Sequence, residues 1–343
     1  MDEWLLKNLA CPRHRVSLKL ESRTLTCIHG CSFPVIDDIP IMLLADENQT
    51  IDLARATMNA ESKAGAKNDL YLESLGVSAA EREGILELVR QRNSDIDPVV
   101  SYLVGATNGI AYKSLIGTVQ RYPIPELRLP ESQGERFLDI GCSWGRWSLA
   151  AARMGYQPVG IDPSIGAVMA ARRVAKQLGL KASFIVGDAR FLPIRSESID
   201  QVFSYSVIQH FSRPDAAAAV KEIGRVLNDT GRSLVQMPTK YGLRCLYHQA
   251  RRGFSDGVGF AVRYWTVPAL RRMFAASIGP TEVSVDCFFG IGLQKSDASM
   301  MPAHLKFVIG ASELLRETSQ VITPLVYTAD SVYLANRKRP QQH

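Results

Sequence analysis

Residues 136–164 read RFLDIGCSWGRWSLAAARMGYQPVGIDPS, and this stretch decides the predicted fold. The apolar run 137–140 predicts a strand that ends in a glycine-containing turn, and residues 147–154 have a helical pattern. A second apolar run, residues 158–161, predicts another strand and ends at Asp162. A strand–loop–helix–strand unit is typical of a parallel sheet, whose ligands bind at the carboxyl ends of the strands. The stretch therefore predicts both an α/β fold and the sheet edge that binds a ligand.

The composition limits the class of protein before any motif is considered. The 343 residues suggest about two domains, and the 46% hydrophobic and 22% charged residues are typical of a globular chain. No apolar run is long enough for a transmembrane helix, and residues 1–12 lack the pattern of a signal peptide, so we expect a cytoplasmic protein. The net charge of +6 is compatible with RNA, anionic glycans or a membrane surface as partners.

Three regions can be distinguished along the chain. Residues 1–46 contain a Cys/His cluster between short alternating strands, and residues 47–130 have a mainly helical pattern, as in 79–92. Residues 131–343 alternate strands and helices, which predicts a doubly wound sheet whose last strand covers 326–336. Two segments, 238–265 and 289–325, do not fit this alternation and are predicted to be insertions.

The glycine turn contains the clearest chemical motif. Asp139 precedes Gly141 and Gly145 in a sequence that lacks both the G-x-G-x-x-G of nicotinamide-binding loops and the Lys-Ser/Thr pair of phosphate-binding loops. The spacing resembles motif I of class I S-adenosylmethionine methyltransferases, (D/E)-x-G-x-G-x-G, with Ser143 at the position of the middle glycine. The resemblance extends over residues 134–237 and implies a Rossmann-like, seven-stranded methyltransferase sheet.

The same resemblance implies roles for acidic residues at successive strand ends. Asp139 would bind the methionine amino group of S-adenosylmethionine, Asp162 the ribose hydroxyls by charge-assisted hydrogen bonds, and Asp188 the adenine amino group. Asp200 begins the fourth strand, also as in the family. The predicted cofactor-binding residues are Asp139, Gly141, Cys142, Ser143, Gly145, Asp162, Pro163, Asp188, Ala189 and Ser204.

The Cys/His cluster near the start of the chain predicts a structural zinc site. Cys11, His14, Cys27 and Cys31 have the residue types of a closed tetrahedral Zn²⁺ site, with His29 as a rival for one position. The segment resembles Trm112-type zinc domains, from which it departs by His14 in place of a cysteine, an extra residue between Cys27 and Cys31, and Asp38 in place of a glycine. The alternative is a domain that keeps this fold without the metal.

The loop after the fourth predicted strand contains the candidate catalytic residues, His210 as a general base and Tyr205 beside it. A structural hydrogen-bonding role is the alternative for His210. The helical region and the first insertion contain aromatic and cationic side chains that could bind a substrate, and the alternative for the insertion is an ordinary solvated helix. The predicted substrate-binding residues are Tyr112, Tyr241, Arg244, Arg263 and Trp265.

Taken together, these features predict a class I methyltransferase with an N-terminal zinc ribbon and a helical cap. We expect transfer of a methyl group to a hydroxyl of a small molecule, glycan or lipid-linked intermediate. The sequence lacks the Asn-Pro-Pro-Tyr and Asp-Pro-Pro-Tyr motifs of enzymes that methylate nucleobase nitrogens. The alternatives are an rRNA or tRNA methyltransferase, which the zinc cluster and the basic charge would suit, and a non-catalytic adaptor that binds the cofactor.

Overall fold

A computed structural model describes residues 1–49, 52–61, 71–91, 95–290, 292–293 and 295–339. Arg92, the predicted end of one helix, and residues 340–343 of the predicted third region lie outside the described residues. Among the described residues, none of the helices combines the length and the apolar character that crossing a bilayer requires.

The larger sheet of the described residues has seven strands and confirms the predicted Rossmann-like architecture. In chain order the strands are β5 (Arg136–Ile140), β6 (Gln157–Asp162), β7 (Ser183–Val186), β8 (Ile199–Ser204), β9 (Leu227–Pro238), β10 (Thr281–Cys287) and β11 (Ser331–Arg337). Their spatial order is β10-β11-β9-β8-β5-β6-β7, and β11 runs antiparallel to both of its neighbours. The chain reverses its direction of winding between β5 and β8, so the carboxyl ends of these strands form the crevice in which ligands of such sheets bind.

Helices cover both faces of this sheet because successive residues of each strand point to opposite sides. The helices of this part of the chain are α5 (Arg146–Arg153), α6 (Ile165–Gln177), α7 (Arg213–Val226), α8 (Leu243–Arg251), α9 (Val267–Ser277) and α10 (Ala303–Thr318). On β5, Phe137 packs in one apolar cluster with Trp147 of α5, whereas Leu138 packs in another with α7 and α9. The alternation within β5 therefore builds the core on both faces.

The N-terminal region forms a second, antiparallel sheet that joins the edge of the first. It begins with α1 (Glu3–Asn8), and its strands are β1 (Leu18–Glu21), β2 (Thr24–Cys27), β3 (Ser32–Ile36) and β4 (Ile39–Pro40). Directly after β4, Ile41 pairs in parallel with Val186 of β7, and the Met42 N–H donates to the Val186 carbonyl at 2.7 Å. Leu5 and Phe33 also belong to the same apolar cluster as α7 and α9, so the N-terminal region shares a core with the larger sheet.

The predicted helical region contains α2 (Asp52–Glu61), α3 (Ala79–Gln91) and α4 (Pro98–Thr107). Polar side chains from this region bind the turn between β6 and α6. The Thr57 hydroxyl donates to the Pro163 carbonyl at 2.5 Å and accepts from the Ile165 N–H at 3.1 Å. The Ser74 hydroxyl accepts from the Gly166 N–H at 2.8 Å. The cap thus fixes the backbone that follows Asp162.

The predicted start of the last strand was wrong. This strand begins at Ser331 rather than at residue 326, because residues 323–327 form a 3₁₀ turn with a proline at its second position. Strand β9 begins at Leu227, and an irregularity in its pairing with β8 interrupts the register. The first insertion contains a helix, α8.

Candidate functional site

A cavity of about 820 Å³ opens at the carboxyl ends of β5, β6, β7 and β8. The glycine turn after β5 and the first residues of α8 both line the cavity. This is the edge of the sheet that the strand–loop–helix–strand unit predicts. The volume is within the range of sites that bind small molecules and cofactors.

The glycine turn contains backbone conformations that residues with a Cβ rarely adopt. Gly141, Ser143 and Gly145 have φ values of +76°, +47° and +83°, all in the left-handed region. A Cβ on Gly141 would lie 2.2 Å from a methyl carbon of Val207, so glycine is required there for packing as well. Ser143 therefore adopts the conformation that a middle glycine would supply, and its departure from the family motif is accommodated.

Asp162 lies at the cavity wall and is held by two backbone N–H groups. Its Oδ2 accepts from the Ser143 N–H at 2.9 Å, and its Oδ1 accepts from the Ser164 N–H at 2.9 Å. Each carboxylate oxygen retains lone pairs for a further donor. Burial raises the pKa of Asp162 to about 6. The carboxylate is thus oriented, charged above this pH, and able to accept from two ligand hydroxyls.

Asp188 also lines the cavity, but it is paired with a cation that the sequence interpretation did not include. Its carboxylate accepts from Arg190 through the guanidinium, with the closest contact at 2.8 Å, and through the backbone N–H at 2.8 Å. Arg190 also contacts Asp215 at 3.0 Å. This pairing fixes the position of Asp188 at the cavity wall.

Three predicted cofactor-binding residues do not line the cavity. Asp139 is buried beneath the turn, where its Oδ2 accepts from the Ser148 hydroxyl at 2.7 Å, and burial raises its pKa to about 7. The Ser204 hydroxyl donates to the Ile140 carbonyl at 3.1 Å. Gly145 permits close packing, because a Cβ there would lie 3.0 Å from Ala171. These three residues support the glycine turn without lining the cavity. The other predicted cofactor-binding residues line the cavity.

Two buried donors without partners lie at the same end of the cavity as the glycine turn. Asn108 Nδ2 and Arg146 Nε have no hydrogen-bond partner in the described residues, and both residues line the cavity. The orientation of the Asn108 amide is determined by Trp144, whose ring N–H donates to Asn108 Oδ1 at 3.3 Å. Buried donors of this kind are normally satisfied, so a ligand with acceptor atoms fits this end of the cavity.

His210 lines the cavity from the short helical turn after β8. Its Nδ1 lies 2.7 Å from the Phe260 carbonyl, which can only accept, so Nδ1 carries the proton and Nε2 has the free lone pair. Burial lowers the pKa of His210, which favours the neutral imidazole. The Gln209 side-chain nitrogen lies 3.5 Å from Nε2 and donates to Ser206 at 2.8 Å. His210 thus has the tautomer and charge of a general base.

The predicted catalytic partner Tyr205 also lines the cavity, but its hydroxyl donates to Asp286 at 3.0 Å. Asp286 in turn accepts from Ser331 at 2.8 Å and lies 3.6 Å from Arg128. Burial and the neighbouring Asp286 carboxyl raise the pKa of Tyr205 well above its usual value. Tyr205 therefore stays protonated and supports the cavity wall.

Asp330 is a cavity residue that the sequence interpretation missed. Its Oδ1 accepts from the Arg244 N–H at 2.8 Å and from the Cys245 N–H at 3.0 Å, at the start of α8. Its Oδ2 is buried and has no partner in the described residues. The sequence placed Asp330 inside the last strand, and its contacts are with residues 85 and 86 positions away, so no local pattern reveals them.

Four of the five predicted substrate-binding residues do not line the cavity, and only Arg244 does. Tyr112 is fully buried, where its hydroxyl donates to Asp297 and accepts from Arg146. Tyr241 lies on the outer surface. Arg263 donates to the His210 carbonyl at 2.6 Å, and Trp265 packs in the core beneath the guanidinium of Arg213. Tyr112, Arg263 and Trp265 are therefore framework residues, whereas Tyr241 is a surface residue.

Sequence reasoning assigned no binding role to several residues that replace them in the cavity wall. They are Asn108, Gln236 and Asp330.

The Cys/His cluster is compact enough to hold a metal ion. Cys11, His14, Cys27 and Cys31 have ligand atoms within 4.8 Å of one another. His14 Nδ1 lies 3.7 Å from Cys11 Sγ and 3.5 Å from the sulfurs of Cys27 and Cys31. A tetrahedral Zn²⁺ with ordinary bond lengths would separate sulfur and nitrogen ligands by about 3.6 Å, so the donor set fits this ion. The His29 ring lies beside that of His14, with ring centroids 4.6 Å apart, and is outside the cluster.

Comparison with known proteins agrees with this fold. Residues 137–231 match a family model described as a methyltransferase domain. Over 103 residues, the chain is 33% identical to the ubiquinone biosynthesis O-methyltransferase of Azorhizobium caulinodans, an alignment that covers 30% of this chain and 40% of that relative. The relative of the same name from Ruegeria pomeroyi is 37% identical over 81 residues, which covers 24% of this chain and 33% of the relative.

The chain thus spans less than half the length of these curated relatives. Among solved structures, it is similar to phosphoethanolamine N-methyltransferase 2 of Haemonchus contortus in complex with S-adenosyl-L-methionine. That similarity has a TM-score of 0.44 and 18% identity, and covers 78% of this chain and 61% of the other.

Proposed function

We propose that this protein transfers a methyl group from S-adenosylmethionine to a hydroxyl of a small molecule, glycan or lipid-linked intermediate. The observation that carries the proposal is Asp162, a partly buried carboxylate at the cavity wall that is oriented by two N–H groups and can accept from two ribose hydroxyls. The methyltransferase domain supplies independent support, because its match covers β5 to the beginning of β9.

The electrostatics of the cavity suit this cofactor. S-adenosylmethionine has no phosphate, and when bound it supplies an activated methyl group on a positively charged sulfur. Asp162 and Asp188 place negative charge on the wall, whereas Asn108 and Arg146 offer donors that suit a carboxylate. We assign Asp162 to the ribose, Asp188 to the adenine amino group, and the Asn108 and Arg146 donors to the methionine carboxylate.

The cavity wall around His210 suits a hydroxyl acceptor. The unprotonated Nε2 of His210 can take the hydroxyl proton during transfer, and general bases of this kind contribute about 10²- to 10⁴-fold to rate. Asp330 Oδ2 is a buried acceptor without a partner, so a substrate hydroxyl that donates to it would satisfy it. The ubiquinone biosynthesis relatives are O-methyltransferases by name, which favours oxygen as the methylated atom.

We also propose that Cys11, His14, Cys27 and Cys31 bind one Zn²⁺ in a structural role. Four protein ligands leave no open position for a substrate, so this site would stabilise the N-terminal sheet rather than take part in the reaction. The likeness of this region to Trm112-type domains and a cytoplasmic location stay predictions.

Transfer of a labelled methyl group tests the function. The purified protein is incubated with methyl-labelled S-adenosylmethionine and, separately, with RNA, polar small-molecule and lipid extracts. We expect label in the small-molecule or lipid fraction, in a form stable to mild base, because methyl ethers resist base whereas methyl esters do not. Asp162→Ala should abolish the transfer, and Asp229→Ala, which replaces an exposed acid at the start of β9, should retain it. Label in RNA, or none above the Asp162→Ala background, would contradict the proposal.

A further inference from the structure

The first insertion exposes an apolar surface beside the cavity. Nearly half of the large hydrophobic side chains that are exposed in the described residues lie within residues 238–265. The exposed fraction is 68% for Leu243, 57% for Tyr247, 65% for Phe254 and 87% for Val258. We call the insertion surface the set Leu243, Leu246, Tyr247, Phe254, Val258 and Phe260. An exposed apolar surface of this kind usually marks a contact with a partner or a membrane.

The residues of the insertion surface come from one helix and the loop that folds back on it. Leu243, Leu246 and Tyr247 share one face of α8, because their spacing is three and four residues. After α8, the Phe254 N–H donates to the Gln249 carbonyl at 2.8 Å, and Arg252 donates to the Val262 carbonyl at 2.9 Å. The loop is thus held against the helix that carries the rest of the surface.

The charge of the insertion is strongly one-sided. Residues 238–265 include the cations Lys240, Arg244, Arg251, Arg252 and Arg263, and their one acid is Asp256. Asp256 lies 3.6 Å from the guanidinium of Arg213, which offsets its charge. Basic groups beside exposed leucine and aromatic side chains are the pattern of segments that lie in the interface of an anionic membrane.

The insertion surface is continuous with the mouth of the cavity. Phe260 belongs to both, and its ring stacks on that of His210 with centroids 4.0 Å apart. On α8, Arg244 and His248 point to the cavity, whereas Leu243 and Tyr247 are exposed. A partner that covers this surface would therefore lie beside His210, the proposed general base.

We propose that the insertion surface docks on an anionic lipid bilayer, with its apolar side chains in the interface and the exposed cations Lys240 and Arg251 on the headgroups. RNA fits the surface less well, because Leu243, Leu246 and Val258 offer no ring on which a base could stack. A second copy also fits less well, because a symmetric contact would bring the cations of two insertions together. The inference goes beyond the proposed function, since docking requires no methyl transfer.

Flotation of the full chain with lipid vesicles tests the docking. We expect binding to phosphatidylcholine vesicles that contain phosphatidylglycerol, little binding to pure phosphatidylcholine, and release by salt. Leu243→Ser with Leu246→Ser should weaken binding on the order of tenfold or more, and Arg251→Gln about fivefold. Ile28→Ser is the matched control, because Ile28 is 84% exposed in the turn between β2 and β3, outside the insertion, and binding of this variant should equal that of the original chain.

Val258→Ser provides a second test in the loop, outside any helix, so that a folding defect of the α8 variant cannot decide the result. It should weaken vesicle binding while thermal unfolding stays unchanged. Absence of binding to anionic vesicles, or equal binding by the original chain and both serine variants, would overturn the proposal. Retention of RNA without vesicle binding would overturn it in favour of a nucleic acid, and a concentration-dependent dimer without vesicle binding in favour of self-association. The vesicle result would remain valid if no methyl transfer were detected, because docking and transfer are measured separately.

Discussion

At the scale of single residues, Asp139 and Asp162 belong to the same strand–loop–helix–strand unit but have different environments. Asp162 is held by N–H groups at the cavity wall, whereas Asp139 is buried beneath the turn with Ser148 as its partner. The sequence predicted where both residues lie, because strand ends and glycine turns are local patterns. It could not predict which of them faces the cavity, since that depends on how α5 packs on β5.

Asp162→Ala should weaken binding of S-adenosylmethionine by about 2 kcal/mol or more, because two charge-assisted hydrogen bonds are lost. In the original chain the affinity should also fall as the pH decreases through about 6, since protonation removes the charge from Asp162. Calorimetric titrations between pH 5 and pH 8 measure both effects. An affinity that is equal in the two proteins at pH 8 would remove Asp162 from the ribose site.

Asp139→Asn should change how stability depends on pH. The pKa of Asp139 is raised to about 7 in the folded chain, above the value of about 4 expected in the unfolded chain. Its contribution to the free energy of unfolding is therefore complete below pH 4 and is lost as the pH rises through 7. Asparagine does not titrate, so the variant does not lose this stability as the pH rises. Its free energy of unfolding, relative to the original chain, should increase by at least about 1 kcal/mol from pH 5 to pH 8 in denaturant titrations.

Asp229→Asn is the control for this titration, because Asp229 is exposed and should show no such change. A difference between Asp139→Asn and the original chain that is the same at both pH values would contradict the assignment of the raised pKa.

At the scale of elements, α8 shows what the sequence could not reveal. The pattern around residues 238–265 indicated an insertion, but it did not predict a helix capped by a carboxylate from the far end of the chain. Asp330 follows a 3₁₀ turn that the sequence interpretation took for part of β11. The strand–helix alternation from β5 to α7 was predicted well, because apolar periodicity in those elements is strong. Long-range polar contacts leave no such periodic pattern.

Asp330→Ala should destabilise the first turn of α8 by about 1 kcal/mol, because the Arg244 and Cys245 N–H groups lose their acceptor. Asp330→Asn should retain most of this stability, since its side-chain oxygen can still accept both hydrogen bonds. Hydrogen exchange of the amides of residues 244 and 245 measures the difference. Equal protection in the alanine variant and the original chain would show that the cap contributes nothing.

At the scale of the whole molecule, the N-terminal region and the methyltransferase domain cannot be regarded as independent units. Cys11 and Cys27 of the proposed zinc site belong to the same apolar cluster as α7 and α9. The sequence predicted the region as a separate segment of residues 1–46, and its cluster of cysteines indicated a metal. It gave no sign that the two regions share a core, because shared packing does not depend on a local motif.

Loss of the metal should therefore destabilise the entire chain. Metal analysis should give about one zinc per chain, and His14→Ala or a strong chelator should lower the melting temperature of the methyltransferase domain as well as that of the N-terminal sheet. Thermal unfolding followed by near-ultraviolet circular dichroism measures this, with His29→Ala as the matched control. A fully folded, metal-free sample with an unchanged melting temperature would refute the zinc site.

The pairing of Ile41 with Val186 has a further consequence for how this protein avoids association. A parallel sheet that ended at β7 would present a row of unsatisfied backbone groups, which is a template for edge-to-edge aggregation. The segment after β4 covers part of that row, and the Met42 N–H already occupies the Val186 carbonyl. A chain that lacks residues 1–46 should therefore expose unpaired backbone groups of β7 and should also lose its zinc ligands. We expect such a chain to aggregate before it loses the ability to bind the cofactor.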